Sequence, residues 1–315
     1  MRKFIQKILL FVTMLIVLVT VTFYAGNYYN RYEYEYLAAI QDKHHLAQEI
    51  GSTPKIILAG GSNVAFGLLA EDFQNAYNRP ALNMGIYVGL GLEYILNELV
   101  DVANPNDIIL LSLEYDTPIK PYPGMNYHVF RYLPESIFYF DDDKTTLTSL
   151  LASKIQKDVF WMTKFHYYRM FKNSDFKLND FIYKREMFNS NGDAVGYHHL
   201  SSQLDAGNSF SDTVTLKSNW DNFHILNDFA IKCEQKDITA FLCYAPLVKE
   251  NYKRDSGLIA QFTSYMNKNI RIDFLDTPKE VVFKRADFYD TKYHLLEKAK
   301  KIRTGNLIRL LKERL

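Results

Sequence analysis

The chain has 315 residues, of which 48% are hydrophobic and 23% charged, so it can bury a full core and is neither disordered nor fibrous. Its 37 basic and 36 acidic residues give a net charge of +1, so no overall charge attracts it to nucleic acid, which is not an expected partner. The two cysteines, Cys233 and Cys243, are too few for a disulfide framework and lack metal-binding spacing, so neither a metal nor another cofactor is expected.

An uncharged apolar run at residues 8–25 predicts a transmembrane anchor within residues 1–26. At about 1.5 Å per residue, the run is long enough to cross most of the hydrocarbon of a bilayer. Arg2, Lys3 and Lys7 precede it, so the positive-inside rule leaves the N-terminus in the cytoplasm and the remaining chain outside, in the periplasm or the extracellular space. A cleaved signal peptide is the competing interpretation, although the small-residue pattern of a cleavage site is poor.

Residues 27–53 are polar and aromatic, and we interpret them as a juxtamembrane spacer or helix. The folded domain is then expected to begin near Pro54 and to continue to residue 315. The adjacent pair His44 and His45 lies in this spacer. Because adjacent histidines do not share a face at metal-binding spacing, both are expected to be solvated.

Alternating strands and helices begin the domain. Short apolar runs at 55–59, 80–86 and 107–113 predict three buried strands. Helical periodicity marks the segments between them, at 69–76 and again at 92–102. This βαβ alternation predicts an α/β fold, a three-layer α/β/α sandwich in which helices cover both faces of a central parallel sheet.

The middle of the chain interrupts this alternation. Residues 117–212 are rich in aromatic side chains, and we interpret them as a mostly helical insertion above the carboxyl edge of the sheet, where open α/β sheets bind ligands. Asn191-Gly192-Asp193 is typical of a tight turn within it. The pattern then resumes with predicted helices at 216–233, 258–266 and 295–311 and predicted strands at 238–244 and 270–274. Both cysteines are expected to be buried there, with a disulfide between them left open.

A candidate nucleophile, Ser62, follows the first predicted strand in the sequence Gly60-Gly61-Ser62-Asn63. A serine at the carboxyl end of a strand and near a helix N-terminus lies where backbone N–H groups can stabilise developing negative charge. The same four residues also make an ordinary turn. A phosphate-binding loop is disfavoured because no Gly-Lys-Ser/Thr follows.

A candidate acid and base lie near the C-terminus. Asp290 and His294 follow the last predicted strand and precede the last predicted helix, and the expected fold brings this segment beside the end of the first strand. A carboxylate four residues before the imidazole can pair with it and fix the tautomer whose other nitrogen accepts the serine proton. With Ser62, these residues predict nucleophilic catalysis.

Three short motifs resemble the SGNH/GDSL hydrolase superfamily, in particular its membrane-anchored members of the cell envelope. They are the Gly-Gly-Ser-Asn sequence after the first strand, Asn83-Met84-Gly85 after the second, and Asp-x-x-x-His-Leu before the final helix. The resemblance covers about residues 54–116 and 216–311 in architecture, and it implies a flavodoxin-like sandwich. It also implies that Ser62 is the nucleophile, that Asp290 orients His294, and that His294 is the base.

The same resemblance implies an oxyanion hole, and here the chain departs from the family pattern. Backbone N–H groups of Ser62 and Gly85 would form the hole, with Gly89 as an alternative to Gly85. The asparagine that usually follows the third strand is replaced by Glu114, and a carboxylate repels an oxyanion. Losing one donor costs on the order of a hundredfold in rate, so Asn63 is a candidate substitute.

A second departure concerns the acid. Many family members have two residues between acid and base, whereas Asp290 and His294 are separated by three, so Asp287 is an alternative acid. The resemblance implies an extracytoplasmic acyl-ester hydrolase or O-acyltransferase, with O-acetyl groups the expected cargo. Its expected partners are an acylated envelope or exported polysaccharide and the membrane. A catalytically inactive carbohydrate-binding or assembly protein and a lipid-directed esterase are the alternatives.

Overall fold

The computed structural model describes residues 2–29, 35–140, 146–171, 182–204 and 220–315. Within these ranges the strands are β1 (Ile56–Gly60), β2 (Ala81–Asn83), β3 (Ile108–Leu113), β4 (Thr239–Tyr244), β5 (Leu247–Val248) and β6 (Val282–Phe283). The α-helices are α1 (Arg2–Tyr29), α2 (Ala39–Ile50), α3 (Ser62–Ala65), α4 (Ala70–Tyr77), α5 (Leu92–Val102), α6 (Met125–Phe130), α7 (Leu147–Phe171), α8 (Ile225–Gln235), α9 (Lys249–Arg254), α10 (Ser256–Asn269) and α11 (Glu297–Lys312).

Four parallel strands form the central sheet, in the order β2-β1-β3-β4. Every residue of β1 and β3 is buried, which explains why these strands are continuous apolar runs. The prediction of a parallel α/β sheet is therefore confirmed. Because β1 and β3 are neighbours and Gly60 pairs with Ser112, the residues that follow these two strands meet at one edge.

Apolar side chains pack on both faces of the sheet. Ile57 and Ile109 belong to the core on one face, where α2, α5, α8 and α10 also contribute side chains. Ile56 and Leu110 face the other way and pack with side chains of α4 and α11. Successive residues of a strand point to opposite faces, so each strand serves both cores. Helices thus flank the sheet on both sides, as a three-layer sandwich requires.

The predicted strand at 270–274 is wrong in its extent. Only Phe274 forms a parallel bridge, to Leu242 of β4. The preceding helix explains the difference: α10 continues to Asn269, and the Ile270 N–H still donates to the helical carbonyl of Met266 at 2.9 Å. A second, two-stranded parallel sheet pairs β5 with β6 and was not predicted.

Helix α2 belongs to the folded domain, although the sequence analysis placed its residues in a spacer before Pro54. Ala39, Ile40 and Ala47 share one helical face and lie in the main core. His44 lies on the same face with 7% of its surface exposed, and its Nε2 is 2.9 Å from Glu98 Oε1. The expectation that His44 is solvated is therefore wrong, whereas His45 is exposed.

Helix α1 contains the residues predicted to form the membrane anchor. The large apolar side chains of α1 that the structure describes are exposed, from 43% at Val12 to 67% at Phe11. Among the residues that the structure describes, no helix combines the length and apolar character needed to span a bilayer. The side chains at 19 and 22–26, which complete the predicted span, lie outside the description, so the anchor stays a prediction.

The described part of the insertion at 117–212 contains α6, α7 and irregular segments; residues 141–145, 172–181 and 205–212 lie outside it. The predicted turn at Asn191-Gly192-Asp193 is integrated into the domain: the Asn83 N–H donates to Asn191 O at 2.8 Å. Asp193 is fully buried and accepts from the first N–H of α4, at Ala70, at 2.8 Å. This turn therefore holds β2 and α4 in place.

Two further predictions concern the second half of the chain. The predicted helix at 216–233 is α8 preceded by a short 3-10 helix, Trp220–His224, and residues 216–219 lie outside the description. Cys233 in α8 and Cys243 in β4 are both buried, and their thiols are free.

Candidate functional site

Two glycines bring Ser62 next to the end of β3. Gly60 has a φ of +147°, and a Cβ there would collide with the carbonyl oxygen of Ser112 on β3. A Cβ on Gly61 would lie 2.8 Å from Glu114 Oε1. Because neither position tolerates a side chain, the chain can pass close to β3 and begin α3 at Ser62.

Ser62 is half-buried, and its hydroxyl donates to Glu114. The Oγ–Oε1 distance is 3.3 Å, and the Asn63 N–H donates to the same oxygen at 3.2 Å. Glu114 is only 4% exposed. Burial and the neighbouring charge of Asp116 raise the pKa of Glu114 to about 7, against the opposing effect of these two hydrogen bonds. A neutral and a charged carboxyl group are therefore both accessible here near neutral pH.

The acid and base predicted from the sequence are paired. His294 Nδ1 is 2.8 Å from Asp290 Oδ1, whereas Asp287 accepts from the backbone N–H of Lys284, so Asp290 is the partner. Burial opposes ionisation of Asp290, but the hydrogen bond and charge of His294 outweigh it and lower its pKa. His294 is 5% exposed. In the described part of the chain, its Nε2 has no hydrogen-bond partner.

Tyr183 completes this pair and was not singled out in the sequence. Its hydroxyl donates to Asp290 Oδ2 and lies 3.2 Å from His294 Nδ1. Burial and the hydrogen bond to Asp290 raise the pKa of Tyr183, so the phenol stays protonated and remains a donor. Nothing local in the sequence marks it, because Tyr183 reaches the pair from the insertion, 107 residues before Asp290.

Phe66 connects the acid–base pair to the helix of Ser62. The His294 ring stacks on the Phe66 ring with centroids 4.0 Å apart and an interplanar angle of 10°. The Phe66 N–H in turn donates to Ser62 O at 2.9 Å, one helical turn away. No hydrogen bond joins the Ser62 hydroxyl to His294 within the described ranges; the hydroxyl is directed to Glu114 instead.

The segment that carries Asp290 and His294 is fastened to the chain that follows β3. The Tyr293 hydroxyl donates to Asp116 Oδ1 at 2.9 Å, and Lys292 Nζ donates to Asp116 Oδ2 at 3.2 Å. Tyr293 is 4% exposed. Since Asp116 follows Glu114 by two residues, these contacts set the distance between the two halves of the site.

Two of the residues predicted to form the oxyanion hole, Gly85 and Asn63, form hydrogen bonds elsewhere. The Gly85 N–H donates to Asn83 Oδ1 at 3.0 Å, and a Cβ on Gly85 would lie 2.5 Å from Val64 Cβ, so this glycine serves close packing against α3. The Asn63 side chain is fully buried and donates to Ser112 Oγ at 2.8 Å, away from the Ser62 hydroxyl. The Asn63 side chain is therefore not available as the amide donor that the resemblance implied for an oxyanion hole. Gly89 lies against the rings of Tyr87 and Tyr122.

Two buried basic side chains of α11 donate hydrogen bonds to backbone carbonyl groups of α3. Lys300 is fully buried and donates to Ala65 O at 3.0 Å, and Arg303, 1% exposed, donates to Asn63 O at 2.9 Å. Both bonds reach carbonyl groups at the end of α3, where cations are favourable. In the sequence they look like ordinary basic residues of a solvated helix, so only the tertiary structure identifies them.

Tyrosines surround the site. Tyr122 is 44% and Tyr183 37% exposed, and both come from the insertion. The Tyr36 hydroxyl donates to Ile86 O at 2.6 Å. Burial, followed by the charges of Glu114 and Asp290, raises the pKa of Tyr36, which shows that both carboxyl groups act on this one ring. The site therefore has aromatic walls that include residues of the predicted insertion.

In comparisons with known proteins, no family model matches the chain, and no curated protein matches it with statistical significance. No group of three His, Cys, Asp or Glu side chains in the described ranges is arranged to hold a metal ion. The chemical interpretation of the site therefore depends on its own geometry.

Proposed function

We propose that this protein is a serine acyl-ester hydrolase or O-acyltransferase organised like the SGNH/GDSL hydrolases. One observation carries the proposal: His294, paired with Asp290, stacks on Phe66, one helical turn from Ser62, at the carboxyl edge of a parallel sheet. The strand order β2-β1-β3-β4 is compatible with a flavodoxin-like sandwich. A nucleophile, a base and an acid that orients the base are thereby gathered from both ends of the chain.

In the proposed reaction, the Ser62 hydroxyl turns from Glu114 towards His294 Nε2. Ser62 Oγ then attacks the acyl carbon while its proton passes to Nε2, and the carbonyl π pair moves to the carbonyl oxygen. When this intermediate collapses, the bond to the alkoxy group breaks and His294 returns the proton to the leaving oxygen. Water or a sugar hydroxyl attacks the acyl-serine by the same sequence and frees Ser62.

Asp290 stabilises the imidazolium that forms in both steps. Its lowered pKa keeps it charged at neutral pH, and its bond to Nδ1 directs Nε2 to the substrate side. Tyr183 restrains the second carboxylate oxygen. The pair is thus prepared for proton transfer before substrate binds.

The proposed substrate is an O-acylated, commonly O-acetylated, polysaccharide of the cell envelope or of an exported polymer. Exposed rings of Tyr122 and Tyr183 offer flat amphipathic surfaces on which a sugar can stack. The uncharged run at 8–25, with basic residues before it, supports an anchor that holds the domain on the outer side of the membrane.

A non-catalytic carbohydrate-binding or assembly protein is the second candidate, and one observation favours it. The Ser62 hydroxyl is bonded to Glu114, in place of a bond to His294. A chain that had lost turnover would tolerate such an arrangement. The two candidates differ in whether Ser62 can be acylated.

The test uses the full chain in detergent, a chromogenic acetyl ester and a fluorophosphonate probe for reactive serines. The wild type should be labelled and should hydrolyse the ester, and Ser62→Ala should abolish both. Asp290→Asn should lower kcat by about 10³- to 10⁴-fold. Ser256→Ala, at an exposed serine that begins α10, is the matched control and should behave as wild type. Wild type without labelling or turnover over a range of acyl lengths would reject the enzyme and leave the binding protein.

A further inference from the structure

Glu114 lies beside the hydroxyl group of Ser62, the proposed nucleophile. It follows β3 directly, and its Oε1 is within hydrogen-bond distance of Ser62 Oγ and of the Asn63 N–H, at 3.3 Å and 3.2 Å. Its other oxygen, Oε2, has no hydrogen-bond partner in the described part of the chain and is not fully buried. One oxygen therefore faces donors, while the other is available to a ligand.

This arrangement suits a neutral carboxyl group. In the acid form one oxygen is a carbonyl, which accepts hydrogen bonds, and the other is a hydroxyl, which donates one. Oε1 has two donors and no acceptor opposite it, so it matches the carbonyl oxygen. Oε2 is then the hydroxyl, and its proton has no acceptor among the described residues.

The surrounding charges favour the same form. No lysine, arginine or histidine of the described ranges forms an ion pair with Glu114; the nearby cation, Lys292, is paired with Asp116. Burial and Asp116 raise the pKa of Glu114 to about 7, and Lys292 opposes them. Among the described residues, the charged and titratable groups that interact electrostatically with Glu114 include Asp116, Lys292, Tyr36, Tyr122 and Tyr293.

We propose that Glu114 is a catalytic residue that replaces the missing oxyanion amide: its neutral carboxyl group donates the Oε2 hydrogen to the carbonyl oxygen of the acyl group that Ser62 attacks. This inference rests on the proposed function. It also explains how a carboxyl group can occupy a position where a carboxylate would repel the oxyanion. A protonated carboxylic acid is an effective oxyanion donor when its surroundings keep it neutral.

The Glu114 proton is shared but not transferred in this step. The bond from Ser62 Oγ to the acyl carbon forms, the carbonyl π pair becomes the oxyanion, and the Ser62 proton goes to His294. The hydrogen on Oε2 stays covalently bound to Glu114 and shortens its contact with the oxyanion. The contact between Glu114 and the oxygen lengthens again when the leaving alkoxy group takes the proton from His294. The same steps apply when water or a sugar hydroxyl attacks the acyl-serine.

The pH dependence of the activity follows from the protonation state in which Glu114 donates. Because the neutral carboxyl group donates, the contribution of Glu114 is present below about pH 7 and is lost as the pH rises and the carboxylate forms. The carboxylate has the further effect of retaining the Ser62 hydroxyl as its own donor. Activity should therefore decline on the alkaline side, with a midpoint near pH 7.

Glu114→Gln tests this because an amide donates and cannot ionise. With the chromogenic acetyl ester between pH 5 and 9, Glu114→Gln should keep kcat within about tenfold of wild type at pH 6 and lose the alkaline decline. Glu114→Ala should lose about 100-fold or more at pH 6. Glu98→Gln, at a buried glutamate on α5 that bonds His44, is the control and should retain the decline.

Contrary results are distinguishable from failure of the proposed function. If wild type is active and Ser62→Ala is not, then a Gln variant as slow as the Ala variant, or one that keeps the alkaline decline, overturns the role of Glu114 alone. Wild type without labelling or turnover overturns both proposals. If Glu114→Gln does not fold, Asp116→Asn serves instead: it removes a charge that raises the pKa of Glu114, so the decline should move to lower pH, and an unmoved decline overturns the inference.

Discussion

A buried carboxyl group lies at each end of the neighbouring strands β1 and β3, and the two groups have different partners. At the amino ends of β1 and β3, Lys55 and Asp107 are both completely buried, with Nζ 2.7 Å from Oδ2. Asp107 also accepts from the backbone N–H groups of Lys55 and Asn104, each at 2.8 Å. At the carboxyl ends, Glu114 is almost as deeply buried but has two longer hydrogen bonds and no ion pair in the described chain.

This difference separates a carboxyl group with a cation and several N–H donors around it from one that lacks a cation. A cation and several N–H groups can replace the hydration of a buried carboxylate, and Asp107 has such partners. A buried carboxyl group without these partners holds its proton instead, as at Glu114. The amino ends of the strands are therefore closed by a satisfied pair, and the carboxyl ends retain a group that can still change its charge.

Breaking the satisfied pair should produce the largest effect. Asp107→Ala leaves Lys55 buried without its partner, so the free energy of unfolding should fall by about 3–5 kcal/mol. Urea unfolding at pH 7, followed by circular dichroism, measures it. The double variant Lys55→Met with Asp107→Leu removes both charges and should recover much of the loss. A loss below about 1 kcal/mol in the single variant would contradict the comparison.

Removing the unmatched carboxyl group should instead stabilise the protein, and only at higher pH. Burial raises the pKa of Glu114 from 4.5 to about 7, so the folded state loses stability relative to the unfolded state as the pH rises from 4.5 to 7. At about 1.4 kcal/mol per pH unit, Glu114→Gln should gain about 3 kcal/mol at pH 8 and almost nothing at pH 4. Thermal unfolding at both values measures this, and an equal gain at both would refute the titration.

Within the site, Tyr183→Phe removes one hydrogen bond from the acid–base pair. The pKa of Asp290 should rise, because the Tyr183 hydroxyl helps to lower it. Because the proposed activity requires a charged Asp290, acidification should abolish activity at a higher pH in the variant than in the wild type. At neutral pH, kcat/KM should fall about threefold to tenfold. The kcat/KM profile from pH 3 to 7 reports both changes.

Tyr77→Phe is the control for this variant, because Tyr77 donates to Ile308 O at 3.0 Å and packs against the core between α4 and α11, with no hydrogen bond to Asp290 or His294 in the described chain. It should leave the acid side of the profile in place. An unchanged profile in Tyr183→Phe would show that Asp290 does not depend on this hydroxyl.

The smallest expected effect is a shift in the alkaline decline. Lys292 lowers the pKa of Glu114, so Lys292→Gln should raise it and move the decline upward by less than about one pH unit. The kcat/KM profile from pH 6 to 9 measures the shift. Lys301→Gln, at an exposed lysine of α11 paired with Glu297, is the matched control and should not move it. A downward shift in Lys292→Gln would contradict the electrostatic account of Glu114.

The elements predicted well are those whose burial leaves a local signal. Strands β3 and β4 lie within predicted runs, and β1 extends one residue beyond its run, to Gly60, since a buried strand is largely apolar. The segment at 270–274 alternates apolar and charged residues, a pattern that also indicates a strand, yet its first residue completes the hydrogen bonding of α10. The residues of α2 were interpreted as part of a juxtamembrane spacer or helix because the run at 27–53 is polar and aromatic, and even the buried face of α2 includes Lys43 and His44.

For the site, local sequence predicted the types of residue better than their contacts. Ser62, Asp290 and His294 were predicted from their places at strand and helix ends, and the pairing of Asp290 over Asp287 needed the structure. Gly85 and Asn63 were candidates for the oxyanion hole because of their neighbours in the chain. Their hydrogen bonds serve Asn83 and Ser112 instead, which no spacing in the sequence indicates.

The sequence by itself determined the parallel α/β sheet and the gathering of a serine, a histidine and an aspartate at its carboxyl edge, because strand burial and βαβ connection leave patterns within short stretches of chain. The tertiary structure alone decided the states of these groups. Glu114 titrates near neutral pH beside Ser62 because burial and the charge of Asp116 raise its pKa. Hydrogen bonding and desolvation depend on which distant residues come together, and Tyr183 and Lys300 approach the site from segments that carry no local sign of it.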